Sequence, residues 1–237
     1  MKKLVVILCV LGAVTIAATT DGTSQANREP NAESIATALT QRIAGPLELT
    51  VGLNGQTTKY TRDANGSYSV LLNTPDAQAP HPVLEFRLLG GAMYARGLSE
   101  KLEQGEWLNM TKLTREFPEL PNVLPPQNGE YNYVAWMTQD VEGHFQELSD
   151  VVRGFVGVTP SECFAAGDVS RGASSTEWSV DCKTGAPSFA INVDSSSRIV
   201  RASNEAIQVQ IGYTVKPVVA PATSAVLTVE DAKKKLS

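Results

Sequence analysis

Histidine and cysteine, the residue types that most often build catalytic and metal sites, are scarce in this chain. There are two histidines, His81 and His144, and three cysteines among 237 residues. The motifs H-E-x-x-H, C-x-x-C, G-x-x-x-x-G-K-[ST] and G-x-S-x-G do not occur. Because none of these motifs occurs and no nucleophile–base pair is evident, the sequence predicts a protein that is not an enzyme and that holds no metal and no cofactor.

The chain also has fewer basic than acidic residues. Twenty lysines and arginines stand against 25 aspartates and glutamates, which gives a net charge of −5. Removal of the first twenty residues would take away Lys2 and Lys3 and no acid, and would leave −7. An acidic chain of this kind argues against a nucleic-acid partner and against docking onto anionic lipid by charge alone.

One long apolar run is present, at the N-terminus. Residues 4–18 follow Lys2 and Lys3 and form a run of about fifteen apolar residues, which is short for a membrane span and typical of a signal peptide. We predict a cleaved signal peptide over 1–20, a polar tether over 21–30, and export to the cell envelope, periplasmic or extracellular. Two alternatives would attach the protein to the membrane: an uncleaved anchor, or lipidation at Cys9, although Leu8 stands where a lipobox has a small residue.

The two remaining cysteines, Cys163 and Cys182, suggest one disulfide in an exported chain. Segments 161–171 and 174–183 have the pattern of two strands around Gly172-Ala173. Each cysteine is nine residues from that turn, so the two would lie opposite each other in an antiparallel pair, within the range that a disulfide spans. The alternative is a pair of buried thiols.

Most of the chain carries the alternation of apolar and polar residues that is typical of half-buried strands. In the middle, alternating strand 83–89 leads through Gly90-Gly91 to strands 92–97 and 106–110. The other predicted strands are 47–53, 56–62, 67–72, 161–171, 174–183, 189–193, 199–203 and 207–213. We predict helices over 31–44 and 139–155, a long loop over 112–132 with one helical turn as an alternative, and a short terminal helix that begins at Thr228. Short links between strands predict an antiparallel sheet and an α+β fold.

Several of these segments resemble the LppX/LprG-type envelope lipoproteins and the wider LolA/LolB-like group. The segments are LEFRLLGGAMYARG, GEWLNMT, SFAINVDSSSRIVRA and IQVQIGYTVKPVVAP. The resemblance covers residues 31–221 and leaves 222–237 as a C-terminal tail with a short helix. It implies a curved antiparallel half-barrel of about ten to eleven strands, covered on its concave side by helices, that holds an acylated lipid. The chain departs from the family in lacking a lipobox.

A curved sheet whose apolar face is incompletely covered encloses a cavity that favours acyl chains. We therefore expect an exported protein that binds a lipid or other hydrophobic ligand and carries it between membranes. The alternative is an envelope interaction module with a solid core, whose loops bind another protein. The candidate ligand-lining residues are Leu49, Val51, Leu84, Phe86, Leu88, Tyr94, Trp107, Ile191, Val209 and Ile211.

Overall fold

A computed structural model describes residues 30–40, 45–53, 55–73, 83–117, 162–183, 185 and 187–237. The predicted signal peptide with Cys9, residues 21–29 of the tether, the predicted helix 139–155 and both histidines lie outside the described residues.

The described residues form one open antiparallel sheet of eleven strands, in the order β6-β5-β4-β3-β2-β1-β11-β10-β9-β8-β7. Two meanders, β1 to β6 and β7 to β11, are therefore joined by the pairing of β1 with β11. The α+β class and the antiparallel sheet are confirmed, and a curved sheet fits this arrangement. The strands are β1 Leu47–Leu53, β2 Gln56–Arg62, β3 Tyr68–Asn73, β4 Val83–Leu89, β5 Ala92–Arg96, β6 Leu108–Asn109, β7 Val169–Arg171, β8 Glu177–Val180, β9 Phe189–Val193, β10 Ile199–Ser203 and β11 Ile207–Gly212.

The strand register separates the two faces of the sheet. One row of paired residues crosses seven strands and is buried throughout: Leu108, Ala95, Phe86, Val70, Tyr60, Leu49 and Ile211. A second buried row crosses five strands: Trp178, Ile191, Ala202, Val209 and Val51. We call this side the apolar face. Alternate residues, including Glu48, Lys59, Glu85, Arg87 and Gln210, lie on the polar face, because successive strand side chains point to opposite sides.

Three α-helices are described: α1 Ala32–Thr40, α2 Met110–Glu116 and α3 Val229–Leu236. Each has a side-chain cap that satisfies backbone N–H groups at its start. Asn31 Oδ1 accepts from the Ser34 N–H, Asn109 accepts from the Lys112 N–H, and Thr228 accepts from the Asp231 N–H.

Helix α2 corrects the prediction for this segment. Strand 106–110 was expected to lead into a long loop with at most one helical turn, but β6 contains only two residues and the seven-residue helix α2 begins at once at Met110. The Asn109 cap starts the helix, and Met110 and Leu113 bury its inner side.

The hairpin that carries the cysteines is also different from the prediction. Its strands are short, and Val169 pairs with Val180 and Arg171 with Trp178, so the turn spans 172–176 and not two residues. The Gly172 N–H donates to the Glu177 carbonyl and the Glu177 N–H to the Ser174 carbonyl, which closes the longer turn. The predicted register, centred on Gly172-Ala173, is wrong by four residues.

After β11 the chain crosses the polar face to the far edge of the sheet, and we call residues 213–228 the C-terminal strap. The Val218 N–H donates to Asp63 Oδ2 at 2.9 Å, and Arg87 Nη1 donates to the Val219 carbonyl at 2.8 Å. At the β6 edge, the Trp107 N–H donates to the Ala225 carbonyl, and the Leu227 N–H donates to the Trp107 carbonyl. The strap thereby ties the end of the second meander to the edge of the first.

Candidate functional site

The apolar face brings together eight of the ten candidate lining residues. Leu49 pairs with Ile211, and Val51 pairs with Val209. The other four are Leu84, Phe86 and Leu88 on β4 and Ile191 on β9. Residues that are 162 and 158 positions apart in sequence thus become neighbours because β1 and β11 pair.

These side chains differ in how deeply they are buried. Phe86, Ile191 and Val209 are fully buried, whereas Leu88 is half-buried. Leu88 pairs with Tyr68, which is also half-buried and packs against the same hydrophobic cluster. The Tyr68–Leu88 pair is therefore a margin of the apolar face where solvent meets apolar side chains.

Tyr94 and Trp107 lie on the polar face, away from the other candidates. Tyr94 pairs with Arg87, while its neighbours Met93 and Ala95 are buried on the apolar side. Trp107 precedes Leu108, which pairs with Ala95, so alternation places the indole on the polar face. The sequence placed both with the lining residues, but Phe86 pairs with Ala95 and Leu88 with Met93, so Tyr94 between them lies on the opposite face.

Trp107 instead belongs to a charged cluster around Glu85. The Glu85 side chain is 8% exposed and contacts Arg87 Nε at 2.7 Å and Arg96 Nη2 at 2.6 Å. The guanidinium carbons of Arg87 and Arg96 lie 4.6 and 5.0 Å from the centre of the Trp107 ring. Both cations are thus paired with one carboxylate and stacked on one indole, so this cluster holds the strap and the β6 edge in place.

Trp178 is a member of the apolar face that the sequence did not single out. It pairs with Ile191 and is 3% exposed, and the Arg171 guanidinium lies 4.6 Å from its ring centre. Among the buried side-chain polar atoms of the described residues, Trp178 Nε1 is the one without a hydrogen-bond partner. A buried donor in this state costs about 1–3 kcal/mol, which makes it a candidate for contact with a ligand oxygen.

The described helices contact the two ends of the sheet. Helix α1 contacts β7 and β10, and its buried residues Ile35 and Leu39 join the same hydrophobic cluster as the apolar face. Helix α2 contacts β5 and β6 at the other end, and it also contacts α3.

A cleft of about 350 Å³ lies outside the apolar face, between α2, the strap and the start of α3. Leu113, Val226 and Leu227 line it together with charged Lys112 and Glu230. None of the ten candidate residues borders this cleft. In the described ranges, no group of three or more His, Cys, Asp and Glu side chains is placed to hold a metal ion. None of the described helices has the length and apolar character that a membrane crossing requires.

Neither a protein-family model nor a curated protein matches this chain. The resemblance to the LppX/LprG-type lipoproteins therefore stays a prediction.

Proposed function

We propose that this chain is an exported cell-envelope protein that binds a lipid or other hydrophobic ligand against the apolar face, between a half-barrel sheet and the helices that cover it. The observation that carries the proposal is the continuity of that face: buried apolar side chains run in register across the open sheet from β6 to β8. The proposal includes that the protein carries this ligand between membranes.

The dimensions of the sheet suit a long ligand. Eleven strands spaced by about 4.8 Å span roughly 48 Å along the sheet. Helix α1 has nine residues, so it is about 14 Å long and can cover only one end. Burial of acyl carbons favours binding by about 0.8 kcal/mol per methylene, or on the order of 10 kcal/mol for a sixteen-carbon chain before the costs of association.

Trp178 adds a chemical preference to this apolar site. Its unpartnered indole N–H lies in the row that contains Ile191, Val209 and Val51, three of the candidate lining residues. An ester or amide carbonyl oxygen is a suitable acceptor for it. We therefore favour an acylated ligand with a carbonyl group over a plain hydrocarbon.

Phe86, Ile191 and Val209 are fully buried, so the side chains packed over the apolar face must move before a ligand reaches them. The half-buried Tyr68–Leu88 pair is the place where an apolar ligand would first meet the face.

The test compares two arginine substitutions at adjacent positions of β4. Leu88→Arg places a charge on the apolar face, whereas Leu89→Arg makes the same change on the polar face of the same strand. Uptake of a fluorescent sixteen-carbon fatty acid should fall at least about tenfold in Leu88→Arg, because an acyl chain bound over this half-buried position would remove water from the guanidinium, and a tenfold loss corresponds to about 1.4 kcal/mol. Leu89→Arg should bind as the unmodified protein does.

Circular dichroism would show that both variants are folded before uptake is compared. Equal uptake by folded Leu88→Arg and Leu89→Arg proteins would contradict the proposal. In a second comparison, Trp178→Phe keeps the ring and removes the donor, so it should weaken binding of a fatty-acid ester more than binding of an alkane of equal length.

The complete burial of Phe86, Ile191 and Val209 also favours a second candidate, the envelope interaction module with a solid core. Native mass spectrometry of protein purified from its own host separates the two. A co-purifying mass that extracts as acylated lipid supports the carrier. A clean protein mass, with no uptake of added lipid, supports the interaction module.

A further inference from the structure

Cys163 and Cys182 form a second site, at the β7 edge of the sheet. The two residues lie 2.7 Å apart, and their side chains are hydrogen-bonded to each other. Cys163 is 2% exposed and Cys182 is half-buried, and the structure holds both as thiols. The sequence predicted that the two cysteines lie opposite each other, but it did so from a strand register that is wrong. A different feature of the backbone therefore brings them together.

Two backbone hydrogen bonds bring the cysteines together. The Asp181 N–H donates to the Asp168 carbonyl at 2.7 Å, and the Lys183 N–H donates to the Glu162 carbonyl at 2.8 Å. From one bond to the other, the chain advances six residues on the Glu162–Asp168 side and two residues on the Asp181–Lys183 side. The four extra residues are absorbed by the 3₁₀ turn Ala166–Asp168 and its approach. The pairing of the two segments therefore shifts by four residues between Asp168 and Glu162. This shift places Cys163 opposite Cys182.

The surroundings of the pair disfavour a catalytic thiol. Burial raises the pKa of both thiols, and the carboxylates of Asp168 and Glu162 raise them further; in Cys182 a hydrogen bond from Cys163 opposes this shift without cancelling it. A reactive cysteine needs a lowered pKa, because the thiolate is the nucleophile. A metal site is not favoured either, since the described residues around the pair supply no third ligand.

The backbone beside the pair is strained. Phe164 has φ of 76°, a left-handed conformation that a bulky residue adopts only when its surroundings enforce it. Its ring packs edge-on against Phe189 at 5.9 Å. Helix α1 contacts both the 3₁₀ turn and β7. The chain at Cys163 is therefore held in a fixed path between α1 and the sheet.

We propose that Cys163 and Cys182 form a disulfide when the protein is in an oxidising compartment, and that this bond clamps the β7 edge and α1 to the sheet. One Sγ–Sγ bond forms while the disulfide bond of a small-molecule or protein oxidant, R–S–S–R, breaks. The two cysteine protons and two electrons pass to the oxidant, which leaves as two R–SH molecules. The low thiolate fraction makes the thiols slow to exchange, so the bond serves a structural role.

Peptide mapping of the full chain tests the bond. Trypsin releases Cys163 in peptide 154–171 and Cys182 in peptide 172–183, and Cys9 lies in neither. Protein exported to an oxidising compartment is denatured in an alkylating agent without reductant and then digested. We expect one linked species, about 2 Da lighter than the two thiol peptides together because two hydrogens have left. Separately alkylated peptides, even after exposure to excess oxidised glutathione, would overturn the disulfide.

Hydrogen exchange tests the clamp, with α3 at the opposite edge as the matched control. Reduction should speed amide exchange in residues 32–40 and 169–171 at least several-fold. It should leave α3 unchanged, because α3 packs against α2, which contacts the β6 edge at the other end of the sheet. Unchanged exchange in α1 would overturn the clamp. Equal acceleration in α1 and α3 would do so as well, since it would show that the bond has no effect specific to the β7 edge and α1.

Discussion

The two edges of the sheet are both short strands, yet they are held by different chemistry. Strand β6 has two residues and is held by the strap, by the Glu85 ion pairs and by stacking of two arginines on Trp107. Strand β7 has three residues and is held by α1 and by the cysteine pair. An unprotected edge strand can pair with other chains, so both edges need cover. The difference implies that each edge can be loosened without the other, one through charge and the other through oxidation state.

The largest expected effect is at the β7 edge. Reduction of the proposed disulfide should lower the free energy of unfolding by about 3 kcal/mol, the value expected for a closed loop of about 20 residues. Urea denaturation with and without reductant measures this change. Cys182→Ser should show the lower stability in both conditions, and a reductant-sensitive midpoint in that variant would contradict the assignment.

At the β6 edge, Glu85→Ala should cost about 2 kcal/mol. The substitution leaves Arg87 and Arg96 without their shared carboxylate, and the cost of a broken buried pair is reduced here because both arginines are partly exposed. Glu48→Ala is the matched control on the same face. The side chains of its ion pair, Glu48 and Lys59, are 32% and 41% exposed, so we expect a loss of stability below about 0.5 kcal/mol. Similar urea midpoints for the two variants would show that the Glu85 cluster does not stabilise this edge.

The smallest expected effect is the pH dependence of stability, which has opposite signs at the β6 edge and the β7 edge. Burial by itself would raise the pKa of Asp63 and of Glu106. Backbone donors from Ser67, Val218 and Asn65 outweigh burial at Asp63, and Lys235 with a backbone donor outweighs it at Glu106, so both pKa values are lowered. Their stabilising contribution is therefore present above the ordinary carboxyl pKa of about 4 and is lost as pH falls through the lowered values.

The reduced cysteines behave in the opposite sense. Because burial raises their pKa, their contribution is complete below the ordinary thiol pKa of about 8.5 and is lost as pH rises through the folded-state values. Hydrogen exchange should therefore show the strap loosening in acid and, in reduced protein only, the β7 edge loosening in alkali. A strap that is equally protected at pH about 3 and about 7 would contradict the first part. Alkaline loosening of the oxidised protein would contradict the second.

Local signals in the sequence predicted much of the first meander. Strands β1, β2 and β4 have the predicted bounds, since residue alternation and the Gly90-Gly91 turn act over a few residues. The two glycines have φ of 53° and 78°, as a tight turn of this kind requires.

The errors arose where distant residues decide the structure. The Trp107 ring is buried on the polar face by Arg87 and Arg96, which lie on other strands. The turn 172–176 is set by Glu177, whose carboxylate accepts from the Ala173 N–H. Eight of the ten candidate residues lie on one face of the sheet because alternation along a strand fixes a face, whereas Trp178 gave no local signal that its indole N–H would lack a partner.

The pairing of β1 with β11 has a consequence for the time course of folding. Residues 53 and 207 meet across the sheet, and at about 5–20 residues per second a ribosome needs roughly 8 to 30 s to make the chain between them. The first meander can form from local hairpins within that time, but β1 keeps an unpaired edge until β11 arrives. Contacts between such distant segments form late. The nascent chain is thus most prone to aggregate through β1, the strand that lies in the middle of the completed sheet.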